Sequence, residues 1–202
     1  MNVFYLNEDP KLCAQDHIDK HVVKMVIEYA QLMSTAHRML DGEQYIDKTA
    51  NGRRIKRWRL LDRRENQLYK ASHINHPDNI WLRKSTGNYE YLWQLFSALC
   101  DEYTYRYGKV HETDRKLRGV LMCAPQNLPK GEMTEPPQAM PDYCKHSDVI
   151  TAYKNYYIQE KKSFSNWKKR NIPSWFTQGL EKELAVISVS YTHLTLPTTS
   201  RV

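Results

Sequence analysis

The sequence has no run of 18 apolar residues, so no transmembrane helix and no membrane partner are expected. Its first nine residues, Met1 to Asp9, lack the basic start and apolar stretch of a secretory signal, which points to a cytoplasmic location, the host cytoplasm if a phage encodes the chain. Cys13, Cys100, Cys123 and Cys144 form no CxxC pair, which argues against a disulfide framework and a structural zinc site. P-loop, GxGxxG and GxSxG motifs are missing, so the common nucleotide-binding and hydrolase readings have no support. There is no internal repeat and no sign of a second domain. The 202 residues, 41% of them apolar, suffice for one domain with a real core.

What is present in excess is positive charge. The net charge of +7 speaks to partners rather than to fold, and a polyanion is the obvious one. The charge concentrates in Arg53-Arg54-Ile55-Lys56-Arg57-Trp58-Arg59-Leu60-Leu61-Asp62-Arg63-Arg64, which combines basic residues with a tryptophan in a phosphate-binding composition. The plainer alternative is a solvated helix face.

The far end of the chain changes character. From Val189 it reads Val-Ser-Tyr-Thr-His-Leu-Thr-Leu-Pro-Thr-Thr, with threonine and serine rising and charge nearly vanishing. That string resembles a translated sequencing adapter of the transposon mosaic-end type. The natural sequence is expected to end near Ile187, giving one domain over 1–187 and a non-native tail over 188–202.

Along the domain, the pattern predicts an all-α fold, a single compact helical domain with two or three long helices and a long Pro-rich loop. Asp9 caps and Pro10 opens a helix that runs to about Leu40 and stops at Asp41-Gly42. Val22, Val23, Met25, Val26, Ile27, Tyr29, Ala30, Leu32 and Met33 make it apolar around most of its circumference, as a buried helix is. Residues 43–54 read as a polar loop and 53–71 as a second helix. Pro77 restricts His76, which marks a junction before a helix over about 77–107, with Gly87 as a possible interruption and Trp81, Leu92, Leu95, Phe96, Leu99 and Tyr103 inward. A shorter helix is expected over 112–122, a proline-rich connection over 123–146, and a last helix over about 147–169, capped by Ser147 or Asp148 and broken by Pro173-Ser174-Trp175-Phe176.

The long first helix also carries His17, His21, Lys24, Glu28, Gln31 and Thr35 at alternating steps of four and three, which places them on one stripe. Such a stripe either lines a cleft or is the helix's solvent-facing side. Glu28 is the candidate catalytic group: beside Lys24 and His21 a carboxylate can stabilise a developing cation or move a proton. Its bland alternative is an i,i+4 pair with Lys24. His17 and His21, one turn apart, with Glu28 as third ligand, form a weak metal-site alternative, and a metal-dependent hydrolase is the matching functional alternative. Otherwise no metal or cofactor is expected. Tyr153-Lys154-Asn155-Tyr156-Tyr157 mixes aromatics with basic residues and suits stacking on bases, although Tyr156 and Tyr157 cannot both face one side.

Several of these residues together resemble a family. Asp19-x-His21 with Glu28 is similar to the first helix of phage pyrimidine-dimer DNA glycosylases of the endonuclease V type. Glu102-Tyr103-Thr104-Tyr105-Arg106-Tyr107-Gly108 looks like the end of that family's second long helix, with one extra residue before the glycine. Tyr153 to Tyr157 resembles its C-terminal aromatic segment, and Asn75-His76-Pro77 with Trp81 looks like a bacterial branch. The resemblance extends loosely over residues 1–170. It implies an all-helical monomer with the N-terminus threaded toward the active site, acting on damaged or modified double-stranded DNA. The implied chemistry is a Schiff base: the chain's α-amine, next to Asn2, attacks C1′, the base leaves, and β-elimination nicks the strand, with Glu28 stabilising the cationic sugar. Glu28, His21, Asn2 and Lys24 are then the expected catalytic set, and Arg53, Arg54, Lys56, Arg57, Arg59, His76, Arg106, Tyr153, Lys154 and Tyr157 the expected nucleic-acid contacts. Asn2 stands where the family has a small residue, Ile27 where it has an arginine, and Gln31 at another basic position. A different DNA base modification and a non-catalytic nucleic-acid-binding protein are therefore the alternatives.

Overall fold

The computed structural model describes the backbone of residues 1–194 and the side chains of residues 1–185. Most of the expected tail, 188–202, thus lies outside the described residues, and none of its side chains is described.

Helix α1 (Pro10–Asp16) starts where its capping chemistry dictates. The Asp9 carboxylate accepts the Lys11 and Leu12 N–H groups and Pro10 takes the first helical position. The helix does not run on to Leu40. It stops at Asp16, the chain passes through His17 and Ile18 in extended conformation, and α2 spans Asp19–Asp41. Tertiary partners make this break. The Gln15 and His17 carbonyls accept from Arg106, and the Asp19 N–H donates to the Asn166 carbonyl, so the groups a continuous helix would pair internally are already engaged.

The fold is mainly α rather than all-α. Residues expected as loop and second helix instead form an antiparallel hairpin, β1 (Glu43–Lys48) and β2 (Arg54–Arg59), with Glu43 opposite Arg59 and Lys48 opposite Arg54. Its turn closes through Thr49, whose N–H donates to the Arg53 carbonyl, and through Gly52 at φ 73°, a left-handed conformation that glycine adopts without strain. A single 3₁₀ turn, Arg63–Asn66, follows. Arg38, 3% exposed, roots this region to α2: its guanidinium donates to the Trp58, Glu65, Leu68 and Tyr69 carbonyls and pairs with the Glu65 carboxylate.

Helix α3 (Pro77–Leu82) and α4 (Thr86–Tyr107) replace one expected helix, and the interruption falls at 83–85, ahead of Gly87. Ser85 then caps α4. Helix α5 spans Glu112–Leu121. Residues 123–141 contain neither helix nor strand. They are stitched to the α3–α4 junction through Thr86 N–H to Pro129 O, Gly87 N–H to Gly131 O, Ser85 Oγ to Glu132 O and Trp81 Nε1 to Thr134 O. Helix α6 (Val149–Glu160), capped by Asp148, is shorter than expected. Pro173-Ser174-Trp175-Phe176 does not break a helix but opens α7 (Ser174–Leu194), with the Pro173 carbonyl accepting from Phe176 and Thr177.

The core lies between α2 and α4. Met25, Val26, Tyr29, Leu32 and Met33 share one buried cluster with Leu92, Leu95, Phe96 and Leu99, and Trp81 and Tyr103 join it. The extended start of the chain enters the same cluster: Val3 and Leu6 are fully buried, and Phe4 and Tyr5 nearly so. Burying a Val, Leu or Phe side chain stabilises by about 1.5–3 kcal/mol, enough to hold a terminal segment that makes no sheet.

Gly87 marks a close approach of α4 to the backbone of the 129–134 segment. A Cβ there would lie 2.3 Å from the Met133 nitrogen and 2.6 Å from the Glu132 carbonyl carbon, both backbone atoms. Gly87→Ala gains roughly 1 kcal/mol of helix propensity but forces two backbones apart, which costs about 1–3 kcal/mol. The expected outcome is a net loss of stability in urea, where Gly119→Ala in α5, with open space at its Cβ, would gain. A stabilised variant would show that the 129–134 segment is not docked as described.

Candidate active site at the N-terminus

Five backbone or side-chain contacts thread the first residues toward α2. Asn2 Nδ2 donates to Ala139 O at 2.6 Å, and the Phe4 N–H donates to Tyr29 Oη at 3.1 Å. The Leu6 N–H reaches Cys13 Sγ, whose S–H in turn faces the Phe4 carbonyl. The Phe4 ring stacks on the His21 imidazole with centroids 4.3 Å apart. The result is that the Met1 amine sits 3.6 Å from Glu28 Oε2, while Lys24 Nζ sits 3.1 Å from Glu28 Oε1. Glu28 is 14% exposed, so this carboxylate is mostly shielded from solvent, beside the largely open Lys24.

Helix α3 supplies a second layer. His76 is its N-cap, accepting the Asp78 N–H, and Asp78 is fully buried with Oδ2 3.3 Å from His76 Nδ1. No well-directed hydrogen bond closes on either Asp78 oxygen. Burial therefore dominates and pushes its pKa up to about 7, although the nearby Val3 amide and the N-terminal ammonium pull the other way. His76 is pushed down, by burial first and then by the N-terminal ammonium and His73, with Glu28 opposing. These mutual fields place the amine, Glu28, His76 and Asp78 in one electrostatic cluster.

Below this cluster the histidines are neutral packing groups. His17 Nδ1 donates to Cys13 O at 2.7 Å and its Nε2 faces Tyr29 Oη at 3.3 Å; burial lowers its pKa to about 4. His21 Nδ1 lies 2.7 Å from Tyr157 Oη, and burial, with His17, Lys161 and Lys24 adding to it, lowers its pKa to about 2. The predicted stripe is thus divided. Lys24 and Glu28 meet at the amine, whereas His17 and His21 support Phe4 from the interior, and His21 is not placed to touch a substrate. Thr35 is buried, bonded to the Gln31 and Ser72 carbonyls. Val23 and Ile27, expected inside, are 38% exposed on the same side as Lys24. Among the described residues no three His, Cys, Asp or Glu side chains converge on a metal-sized site, and both His17 nitrogens are already engaged, so the His17–His21–Glu28 alternative is not assembled.

The expected nucleic-acid contacts also separate. Arg53, Arg54, Lys56 and Arg59 are exposed on the hairpin, and Arg57 is half-buried 3.9 Å from Asp47. Lys154 stands 5.6 Å from the Trp175 ring. Arg106, Tyr153 and Tyr157 are fully buried and cannot meet DNA. Arg106 spends its donors on Glu102, Asp19 and the Gln15 and His17 carbonyls; Tyr153 donates to Pro137 O; Tyr157 packs on Phe4 and His21. Of the aromatic segment, Tyr156 is the half-exposed member, with Lys161 Nζ 4.4 Å over its ring.

Asp78 was not among the residues expected from the sequence, whereas the chain's α-amine was, and here that amine is carried by Met1 with Asn2 beside it, bonded to Ala139 O. Asp78 carries the weakest of signals, an acid in a first helical turn after proline, which reads as ordinary dipole compensation. A cleft of about 550 Å³ between α1, α4 and Arg170 holds none of the cluster.

Stability should depend on pH in two opposite ways. Asp78 favours the folded state while protonated, so its contribution is present below the ordinary carboxylate range and lost as pH rises through about 7. His17, His21 and His37, with pKa values lowered to about 4, 2 and 4, contribute above their ordinary 6.5 and lose that contribution as pH falls below it. Asp78→Asn is therefore expected to raise the thermal midpoint more at about pH 8 than at about pH 5. Equal changes at both values would mean that the carboxyl titrates normally.

No family model, curated protein or solved structure matches this chain.

Proposed function

We propose that this chain processes DNA bases through its N-terminal amine, as a DNA glycosylase/AP lyase acting on damaged or modified duplex DNA. The observation that carries the reading is the Met1 amine 3.6 Å from a mostly buried Glu28 carboxylate. An α-amine held by backbone threading beside a carboxylate is what imine chemistry requires. The ammonium first gives up a proton to a neighbouring carboxylate. The amine nitrogen then bonds to C1′ as the C1′–N bond to the base breaks, the base leaving with that electron pair and taking up a proton. Ring opening gives the protonated Schiff base. Loss of a C2′ proton then expels the 3′ phosphate, and hydrolysis of the imine restores the amine. Glu28 stabilises the cationic sugar and is the nearest acceptor for the proton transfers. Asp78 and His76 are the next titratable groups in reach. The target nucleotide must leave the stack to meet an amine recessed in this way.

A second reading, a nucleic-acid-binding protein without chemistry, is favoured by one observation: Glu28 already has two cationic partners, as a structural ion pair would.

Borohydride trapping separates the two. Full-length protein is presented with ultraviolet-irradiated, abasic and undamaged duplexes. The expected outcome is a covalent adduct on damaged or abasic DNA that disappears when the N-terminal amine is acetylated. Glu28→Gln should slow its formation by about a hundredfold or more while leaving DNA affinity nearly unchanged. Intact binding with no adduct on any duplex would overturn the lyase reading in favour of the second.

A further inference from the structure

The hairpin divides its charges between its two faces. Side chains alternate along each strand, so Gln44, Ile46 and Lys48 share one face with Arg54, Lys56 and Trp58. The other face carries Tyr45 and Asp47 with Ile55, Arg57 and Arg59. On that second face the charges are answered: Arg57 lies 3.9 Å from Asp47, and the Arg59 guanidinium sits 5.0 Å over the Tyr45 ring. On the first face nothing answers them. Lys48, Arg54 and Lys56 are exposed, that face holds no acidic residue, and none of the three has an ion pair among the described residues. The register also sets Lys48 directly opposite Arg54, a like-charge pairing that opposes strand association. Lysines on an exposed edge guard against aggregation, but guarding requires neither a one-sided distribution nor an opposed pair.

The hairpin's shape fits what its charge invites. Six residues per strand give a ribbon about 20 Å long, and its main tertiary contact is with α2, from whose C-terminal end it projects. A two-stranded ribbon enters the major groove of B-form DNA, about 12 Å wide. The deep, narrow major groove of an RNA duplex does not admit it.

We infer that the β1–β2 hairpin is a DNA-binding arm that lies in the major groove of B-form DNA with Lys48, Arg54 and Lys56 directed at phosphates. The choice of DNA as partner rests on the proposed function; the arm's geometry does not. Glu28 and Asp41, at the end of α2, are thirteen residue steps apart, about 20 Å along the helix axis.

Affinity for an undamaged duplex of mixed sequence, measured by fluorescence anisotropy over a series of salt concentrations, tests this. The variant carries Lys48→Gln, Arg54→Gln and Lys56→Gln. A control carries Lys11→Gln, Lys109→Gln and Lys130→Gln, which removes the same charge from elsewhere on the surface. The hairpin variant should lose about a hundredfold in affinity near physiological salt, and the slope of log K against log salt should flatten by about 2.7. The control should lose far less, and the wild type should bind DNA more tightly than an RNA duplex of the same sequence. Circular dichroism should show both variants folded, since the exchanged side chains are exposed and one exchange relieves a like-charge pair. An unchanged slope in the hairpin variant, an equal loss in the control, or equal affinity for the RNA duplex would overturn the inference. Failure of the catalytic reading looks different: a hairpin-dependent slope with no borohydride adduct leaves the arm standing, and an adduct with an unchanged slope removes the arm alone.

Discussion

A guanidinium with no access to water must have its charge met inside the protein, and Arg106 is that group. It donates to Glu102 one turn earlier on α4, to the Asp19 carboxylate at the start of α2, and to the Gln15 and His17 carbonyls at the end of α1. Glu102 is shared with Arg170, and Asp19 also accepts the Lys168 N–H and the Asn166 amide. Two cations and two carboxylates thus close a neutral set, and a partner removed from such a set leaves an uncompensated charge at a cost of about 3–5 kcal/mol. Arg106 takes the carbonyls that a continuous helix would need, so the same residue fixes where α1 ends and α2 begins.

That break has consequences for the site. With α2 reoriented at Asp19, Tyr29 and His21 face the extended N-terminal segment rather than another helix. Tyr29 Oη receives the Phe4 N–H and faces His17, and His21 presents its ring to Phe4. An extended segment buried without a sheet partner would otherwise leave its amides unsatisfied. Tyr29 and Cys13 satisfy them one at a time, and the segment can then end in a polar group. The amine is directed at Glu28 because everything upstream of it is already held.

The termini and the core of the main helices were legible in the sequence, because capping and periodicity are local. Asp9 with Pro10, the stop at Asp41, the Asp148 cap and the inward set from Trp81 to Tyr103 all follow from neighbours within a turn or two. The Lys24–Glu28 pair was legible for the same reason. The α1–α2 break was not: it contains no proline or glycine, and its partners lie on α4 and in the segment before α7. Arg106 was expected as a nucleic-acid contact, because Glu-x-x-x-Arg looks the same whether the pair faces water or the core, and it is buried. The hairpin was missed although Asn51-Gly52 is a strong turn signal. Its strands are short, and their charge density obscured an alternation in which one face is half-buried and the other open. Asp78 was hidden because burial, not residue type, gives it its character.

The two ends of α2 carry separate charge clusters, and distance keeps them apart electrostatically. Charges about 20 Å apart interact by about 0.2 kcal/mol in water, and at physiological ionic strength the screening length of about 8 Å reduces this further. The fields of the hairpin cations therefore scarcely reach the amine. At the amine the separations are 3.1 and 3.6 Å about a carboxylate that is 14% exposed, and the same law gives energies there several times larger. Surface cations on the hairpin can then be exchanged while the cluster at the amine keeps its own balance. The 23-residue helix between them fixes their spacing, as the proposed reading requires of one site that grips and another that reacts.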